Sequence, residues 1–232
     1  MRVLVACEVS GRVRDAFLAR GHDAVSCDIE PSAADGPHIC GRVEDVLDDD
    51  WDLVVAHPPC TYMSNANAPC VVGKCPHPTH NDEWREWRQV ETINAALLFH
   101  LCRAAGRASA VENPMPHTFA HSLIGDPTSL TEPWWFGDPW TKRTGWWLRG
   151  LQPLTPTRPV TPTHRLINSG QRRHYRHGVL LPGFEPAPPQ RMNSLPGLER
   201  EGPARSVTSP GTAAAIATQW GHTNQTLLDC LV

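Results

Sequence analysis

Nothing in the chain is built to enter or cross a membrane. No apolar run reaches the roughly 20 residues that a spanning helix needs. The opening MRVLVACEVSGR has no charged-then-apolar leader. The expectation is a soluble protein of the cytoplasm, with no membrane partner. Charge of one sign is also lacking. The formal net charge is −3 over 232 residues, so no global field draws the chain to nucleic acid, and any such affinity must sit in a local patch. Tyrosine is scarce, with two residues against nine tryptophans, and no internal repeat is visible. There are eight cysteines, but a disulfide framework needs an oxidising compartment, and no secretory route leads there. The thiols are therefore read as core residues, metal ligands or nucleophiles.

What is present alternates. RVLVAC (2–7) is a short β-branched run of the buried-strand type. Val13, Ala16 and Phe17 then follow at helical spacing, and Gly21 stands where such a helix would stop. DAVSCDIEP (23–31) reads as a second strand ending in acids, and WDLVVAHPPC as a third with a loop at its tip. The clearest helix covers 82–105, where Trp84, Trp87, Val90, Ile93, Leu97 and Leu101 recur every three or four residues with charges opposite. RASAVENPMPH (107–117) and TGWWLRGL (144–151) read as further strands. The expected fold class is α/β, a Rossmann-like parallel sheet with helices on both faces. Ligands of such sheets bind beyond the carboxyl ends of the strands, where Glu8, Ser10, Asp28, Glu30, Asp45, Cys60, Glu112 and Asn113 all fall. Three regions are expected: a catalytic domain over 1–151, a short proline- and arginine-rich segment over 152–205, and a C-terminal helix over 206–232 that returns to the first.

The most pointed stretch is HPPCTY (57–62). Prolines fix their own backbone angle and push the preceding residue into an extended form. Pro58 and Pro59 thus hold Cys60 at a strand tip with little freedom, which suits a positioned nucleophile. The alternative is a buried structural cysteine. Glu112 and Asn113 end a strand expected near that tip. A carboxylate there can bind a ring nitrogen and an amino group together, or donate a proton if burial raises its pKa. Asp28 or Glu30, beyond the second strand, suits ribose hydroxyls. The loop from Cys7 to Gly11 is poor in glycine, weak as a phosphate cradle but adequate for a cofactor without phosphates.

Two further groups stand out. Cys70, Cys75, His77 and His80 either form a structural zinc shell, at tighter spacing than a usual finger, or lie on a surface excursion without metal. Arg172, Arg173 and Arg176 lie in a basic segment that contrasts with a mildly acidic chain, and arginine suits phosphates and guanine edges.

Together the motifs resemble the cytosine-carbon-5 DNA methyltransferase family, with the nearest likeness to short phage-encoded members. The opening loop matches ACEVSGRVRDAFLARGH, the ribose-binding acid CDIEP, the adenine-side acid Asp45 in VEDVL, the Pro-Cys nucleophile HPPCTYMS, and the Glu-Asn pair VENP. FGDPWTKRTGWWL (136–148) resembles the strand with the family's basic motif, and SVTSPGTAAAIATQWG (206–221) its last helix. Four departures are clear. The glycine-rich Phe-x-Gly-x-Gly opening is missing, Thr61 replaces a glutamine, Glu-Asn-Pro replaces Glu-Asn-Val, and the basic element shrinks to Thr141-Lys142-Arg143.

The resemblance implies a DNA-binding enzyme that uses S-adenosylmethionine. Cys60 is its nucleophile, and Glu112, Asn113 and either Lys142 or Arg143 assist. Cys7, Glu8, Ser10, Gly11, Asp28, Ile29, Glu30, Asp45, His57 and Pro58 line the cofactor. Two rivals stand beside it: an enzyme acting on a free pyrimidine nucleotide or a single strand, and a non-enzymatic binder on a methyltransferase-like fold.

Overall fold

Unbroken apolar strands make a sheet covered on both faces. In the computed structural model, residues 1–65, 81–162, 164–165, 175–176, 179–180 and 207–222 are described. The strands β1 (Arg2–Ala6), β2 (Asp23–Asp28), β3 (His38–Cys40), β4 (Leu53–Ala56), β5 (Ala108–Asn113), β6 (Ser129–Thr131) and β8 (Thr144–Arg149) form one seven-stranded sheet in the order β3-β2-β1-β4-β5-β8-β6. β1 lies parallel to both β2 and β4, and β4 parallel to β5.

The expected all-parallel sheet needs one correction. β8 runs antiparallel to β5 and to β6, so the sheet is mixed. Hydrophobic pattern sets which face a residue takes, not strand direction. Short paired segments lie elsewhere: β7 (Trp140–Thr141) with β9 (His164–Arg165), and β10 (Tyr175–Arg176) with β11 (Val179–Leu180).

Successive strand residues feed opposite cores. Val3, Val5, Leu53, Val55 and Trp146 pack with α1 (Arg12–Leu18) and α4 (Pro210–Trp220). Leu4, Ala6, Val54, Val111 and Trp147 pack with α2 (Asp82–Ala104) and α3 (Thr118–Ile124). Each core holds an edge-on aromatic pair, Trp146–Trp220 at 5.2 Å between ring centres and Phe99–Trp147 at 5.1 Å. α4 starts with Ser209 as its cap, donating to Thr212 Oγ1 and accepting from the Thr212 N–H. A Cβ at Gly211 would stand 2.2 Å from the Phe136 carbonyl oxygen. Only glycine lets the helix meet the 3-10 turn at Pro133–Phe136 so closely.

The segment just after β8 lies against this body. Leu154 is buried in the first core, and the Trp220 indole donates to the Gln152 carbonyl at 2.9 Å. Among the described residues no helix is long and apolar enough to cross a membrane.

α2 sits the other way round from what its stripe suggests. Its buried positions are Arg88, Thr92, Ala96, Phe99 and Cys102. Trp87, Val90, Ile93, Leu97 and Leu101 face outward, each more than two-fifths exposed.

Candidate active site at the carboxyl edge of the sheet

β1, β2, β4 and β5 are mutually parallel, so their carboxyl ends share one edge. The expected site residues of those strands lie there. Backbone pairing continues past the strands. His57 donates to the Ala6 carbonyl at 2.9 Å and Glu8 to the Cys27 carbonyl at 3.3 Å, so the tips are in register before the loops diverge.

The loop after β4 is fixed from three sides. Pro58 is buried and Pro59 exposed. Cys60 follows, half-buried, and its carbonyl accepts from Met63 and Ser64. From α2, the buried Arg88 donates to the Thr61 carbonyl at 2.9 Å and lies 4.6 Å from the centre of the Tyr62 ring. Thr92 donates to the Tyr62 carbonyl at 3.1 Å. His117 at the start of α3 places Nε2 2.8 Å from that same carbonyl oxygen, and its backbone N–H donates to Met63 at 3.0 Å. The polar inward face of α2 therefore exists to satisfy loop carbonyls that would otherwise be buried without donors.

Glu112, near the end of β5, reaches His57 near the end of β4, with Oε2 at 3.2 Å from Nδ1. Both side chains are largely buried, and His57 Nε2 finds no partner among the described residues. Burial alone would push the Glu112 carboxyl up. The His57 hydrogen bond, the Lys142 charge and the His57 charge outweigh it and leave the group below its ordinary value. Cys60 moves the other way. Burial and then the Glu112 charge push its thiol up, and Lys142 opposes them. Lys142 thus acts on both groups, and it lines a cleft with Glu112, Thr144, Trp146 and Ser209.

Between the two basic candidates, the structure distinguishes. Lys142 is half-buried toward the cleft, whereas Arg143 is exposed and lies 3.6 Å from Glu132. Glu132 also accepts from the Lys142 backbone N–H at 2.9 Å. Asn113 is fully buried. Its amide donates to the Pro114 carbonyl, and its Oδ1 has no partner among the described residues.

The first loop is organised internally. Glu8 is buried, and its carboxylate accepts from the backbone N–H groups of Val13 at 2.8 Å and Arg14 at 3.2 Å, and from Ser10 Oγ at 3.0 Å. It therefore occupies the amino end of α1, where a phosphate would otherwise bind. Arg14 is wholly buried and donates to Ser26, Ser32 and the Asp35 carbonyl. A Cβ at Gly11 would lie 2.4 Å from its guanidinium, so this glycine, at φ +70, makes room for Arg14 and not for a ligand. Cys7 holds φ 57, unusual for a non-glycine residue. A hydrogen bond with Cys102, together with burial, pushes its thiol well above the ordinary range.

Beyond β2, Asp28 accepts from the Glu30 backbone N–H at 3.0 Å, Ile29 is 73% exposed, and Glu30 is exposed. Asp45 ends the 3-10 turn at Val43–Asp45 and is exposed. Free carboxylates and one bare apolar side chain thus border the same edge. Cys70, Cys75, His77 and His80, and Arg172 and Arg173, lie outside the described residues. Arg176 falls in β10.

The reading of residue types alone did not foresee the His57–Glu112 pair, the Glu8 cap, or the Arg88, Thr92 and His117 clamp. The first joins residues 55 apart and becomes visible only once β4 and β5 are known to be neighbours. The Glu8 cap had a local signal, an acid set just before a helix start. No protein-family model matches this chain, and no curated protein matches it.

Proposed function

We propose that the chain is an S-adenosylmethionine-dependent methyltransferase that methylates carbon 5 of cytosine in DNA, with Cys60 as nucleophile. One observation supports this most. A half-buried thiol on a braced loop, a carboxylate paired with histidine, and a lysine acting electrostatically on both meet at the carboxyl edge of one sheet.

The edge suits a cofactor without phosphates. Glu8 already fills the amino end of α1, and the space beside Gly11 belongs to Arg14. The exposed Glu30 and Asp45 carboxylates would take the ribose hydroxyls and adenine side, with Ile29 as the apolar surface. When bound, S-adenosylmethionine supplies an electrophilic methyl group.

The chain's own residues do the rest. The sulfur of Cys60 bonds to carbon 6 of the ring as its proton passes, by way of Glu112, to ring nitrogen 3. Glu112, again a carboxylate, accepts from the protonated nitrogen 3 and from the amino group, the ring carries no uncompensated negative charge, and carbon 5 becomes nucleophilic. After methylation a base takes the carbon-5 proton, the bond to carbon 6 breaks, Cys60 leaves as thiolate, and the nitrogen-3 proton returns to it by way of Glu112. The resting electrostatics favour the thiol, because burial and Glu112 both disfavour its anion. A protonated ring nitrogen donating to Glu112 offsets that charge and leaves Lys142 to stabilise the thiolate. Activation is thereby tied to an occupied site. A cytosine in duplex DNA must leave the stack first, at a cost of about a few kcal/mol.

The test is incubation with methyl-labelled S-adenosylmethionine and mixed-sequence duplex DNA, followed by digestion to nucleosides. Label in 5-methylcytosine that disappears in Cys60→Ala supports the proposal. Cofactor binding without label in DNA points to a free nucleotide or single strand. Failure to bind the cofactor refutes the enzyme reading.

A further inference from the structure

α2 carries its apolar residues on the outside. Trp87 is 47% exposed, Val90 52%, Leu97 60% and Leu101 43%. Asn94 and Ala104 are exposed as well. The spacing along 87, 90, 94, 97, 101 and 104 alternates three and four residues, the seam of a two-helix coiled coil. It runs for about 26 Å at 1.5 Å per residue. A surface helix facing only water would carry polar residues at these positions. One polar residue, Asn94, interrupts the seam near its middle.

We infer that this face packs against the same face of a second copy of the chain, with the two α2 helices antiparallel. Charge selects both partner and direction. The first turns of α2 carry Asp82, Glu83 and Glu86 against Arg85, which pairs with Asp82, so acids remain in excess there, and the last turns carry His100 and Arg103. Antiparallel pairing sets each acidic end beside the basic end of the other copy and opposes the two helix dipoles. Parallel pairing would set Glu86 of one helix beside Glu91 of its neighbour, two like charges at the seam edge. A two-fold interface of this kind is self-complementary and closed. The inference does not rest on the proposed catalytic activity, and no seam residue lines the cleft.

The test is sedimentation equilibrium of the full chain over a range of concentrations, with the wild type and Leu97→Glu. A dimer in the wild type is expected. Leu97→Glu buries a charge twice per interface and should weaken association at least about a hundredfold. Leu97 is exposed within one copy, so the far-ultraviolet circular dichroism spectrum and cooperative unfolding of the variant should persist. Glu86→Lys should weaken the dimer, and Glu86→Lys with Arg103→Glu should restore it. A wild type that stays monomeric, or a dimer indifferent to Leu97→Glu, overturns the inference. A weakened Glu86→Lys dimer that Arg103→Glu fails to restore overturns the antiparallel arrangement.

Discussion

Arg88→Met removes the guanidinium that braces the Cys60 loop while keeping most of the side chain's volume. Three interactions go with it, the weakest a longer contact of 5.6 Å with the Trp84 ring. The charge-assisted hydrogen bond to the Thr61 carbonyl, 2.9 Å long, is worth about 1.5–3 kcal/mol. The cation over the Tyr62 ring, at 4.6 Å, is worth about 0.5–2 kcal/mol. Against this stands the cost of burying a charge, which methionine avoids. Global stability should therefore fall by only about 0–2 kcal/mol. The loop should respond more than the fold. Losing about 2 kcal/mol of local bracing raises the open population roughly thirtyfold. Two assays read this. Cys60 alkylation by iodoacetamide at fixed pH should speed up at least about tenfold if opening limits the reaction. A double-mutant cycle of Arg88→Met with Tyr62→Leu, scored by urea unfolding, cancels the desolvation of Arg88 and should return about 0.5–2 kcal/mol of coupling. Coupling near zero, together with an alkylation rate within about twofold of wild type, would refute the claim that Arg88 holds this loop.

The remaining predictions concern charge near the thiol and the cap on α1. Glu112 raises the Cys60 pKa and Lys142 lowers it. Glu112→Gln should therefore shift the alkylation profile to lower pH and Lys142→Ala to higher pH, and opposite or absent shifts would remove these residues from the electrostatics of the thiol. Glu8→Ala strands the buried N–H groups of Val13 and Arg14 and should cost about 2–5 kcal/mol in urea unfolding. A loss below about 0.5 kcal/mol would mean that the carboxylate is not a cap.

Which parts of this structure could be read from residues follows from what periodicity encodes. Val3 to Ala6 and Leu53 to Ala56 are continuous apolar runs, and the structure covers both of their faces. The spacing in 82–105 encodes a helix, and α2 forms over Asp82–Ala104. Its outward stripe was not legible, because a stripe shows that one face differs, not which face meets the sheet. Here Phe99 and Cys102 supply the inward packing, while Arg88 and Thr92 serve the loop. The direction of β8 carries no sequence signal either. Cys60 and Glu112 were legible as strand-tip residues, since both prolines and the strand ends are local features. Their electrostatic coupling through His57 and Lys142 needed the strand order.

One helix thus serves two masters on opposite sides, and its ends of contact nearly meet. Arg88 faces inward onto Tyr62, while Trp87, next to it in the seam, reaches the edge of the same tyrosine ring with centres 6.0 Å apart. Tyr62 is two residues beyond Cys60, so its ring is a mechanical link between the outer face of α2 and the thiol. Closing the seam would restrict the Trp87 indole, and with it the freedom of the Tyr62 ring and of the loop below. The same link runs in reverse. Any displacement of that loop shifts the tyrosine against Trp87. The inferred seam and the proposed nucleophile therefore share their packing around Tyr62, with Arg88 on one side of the ring and Trp87 at its edge.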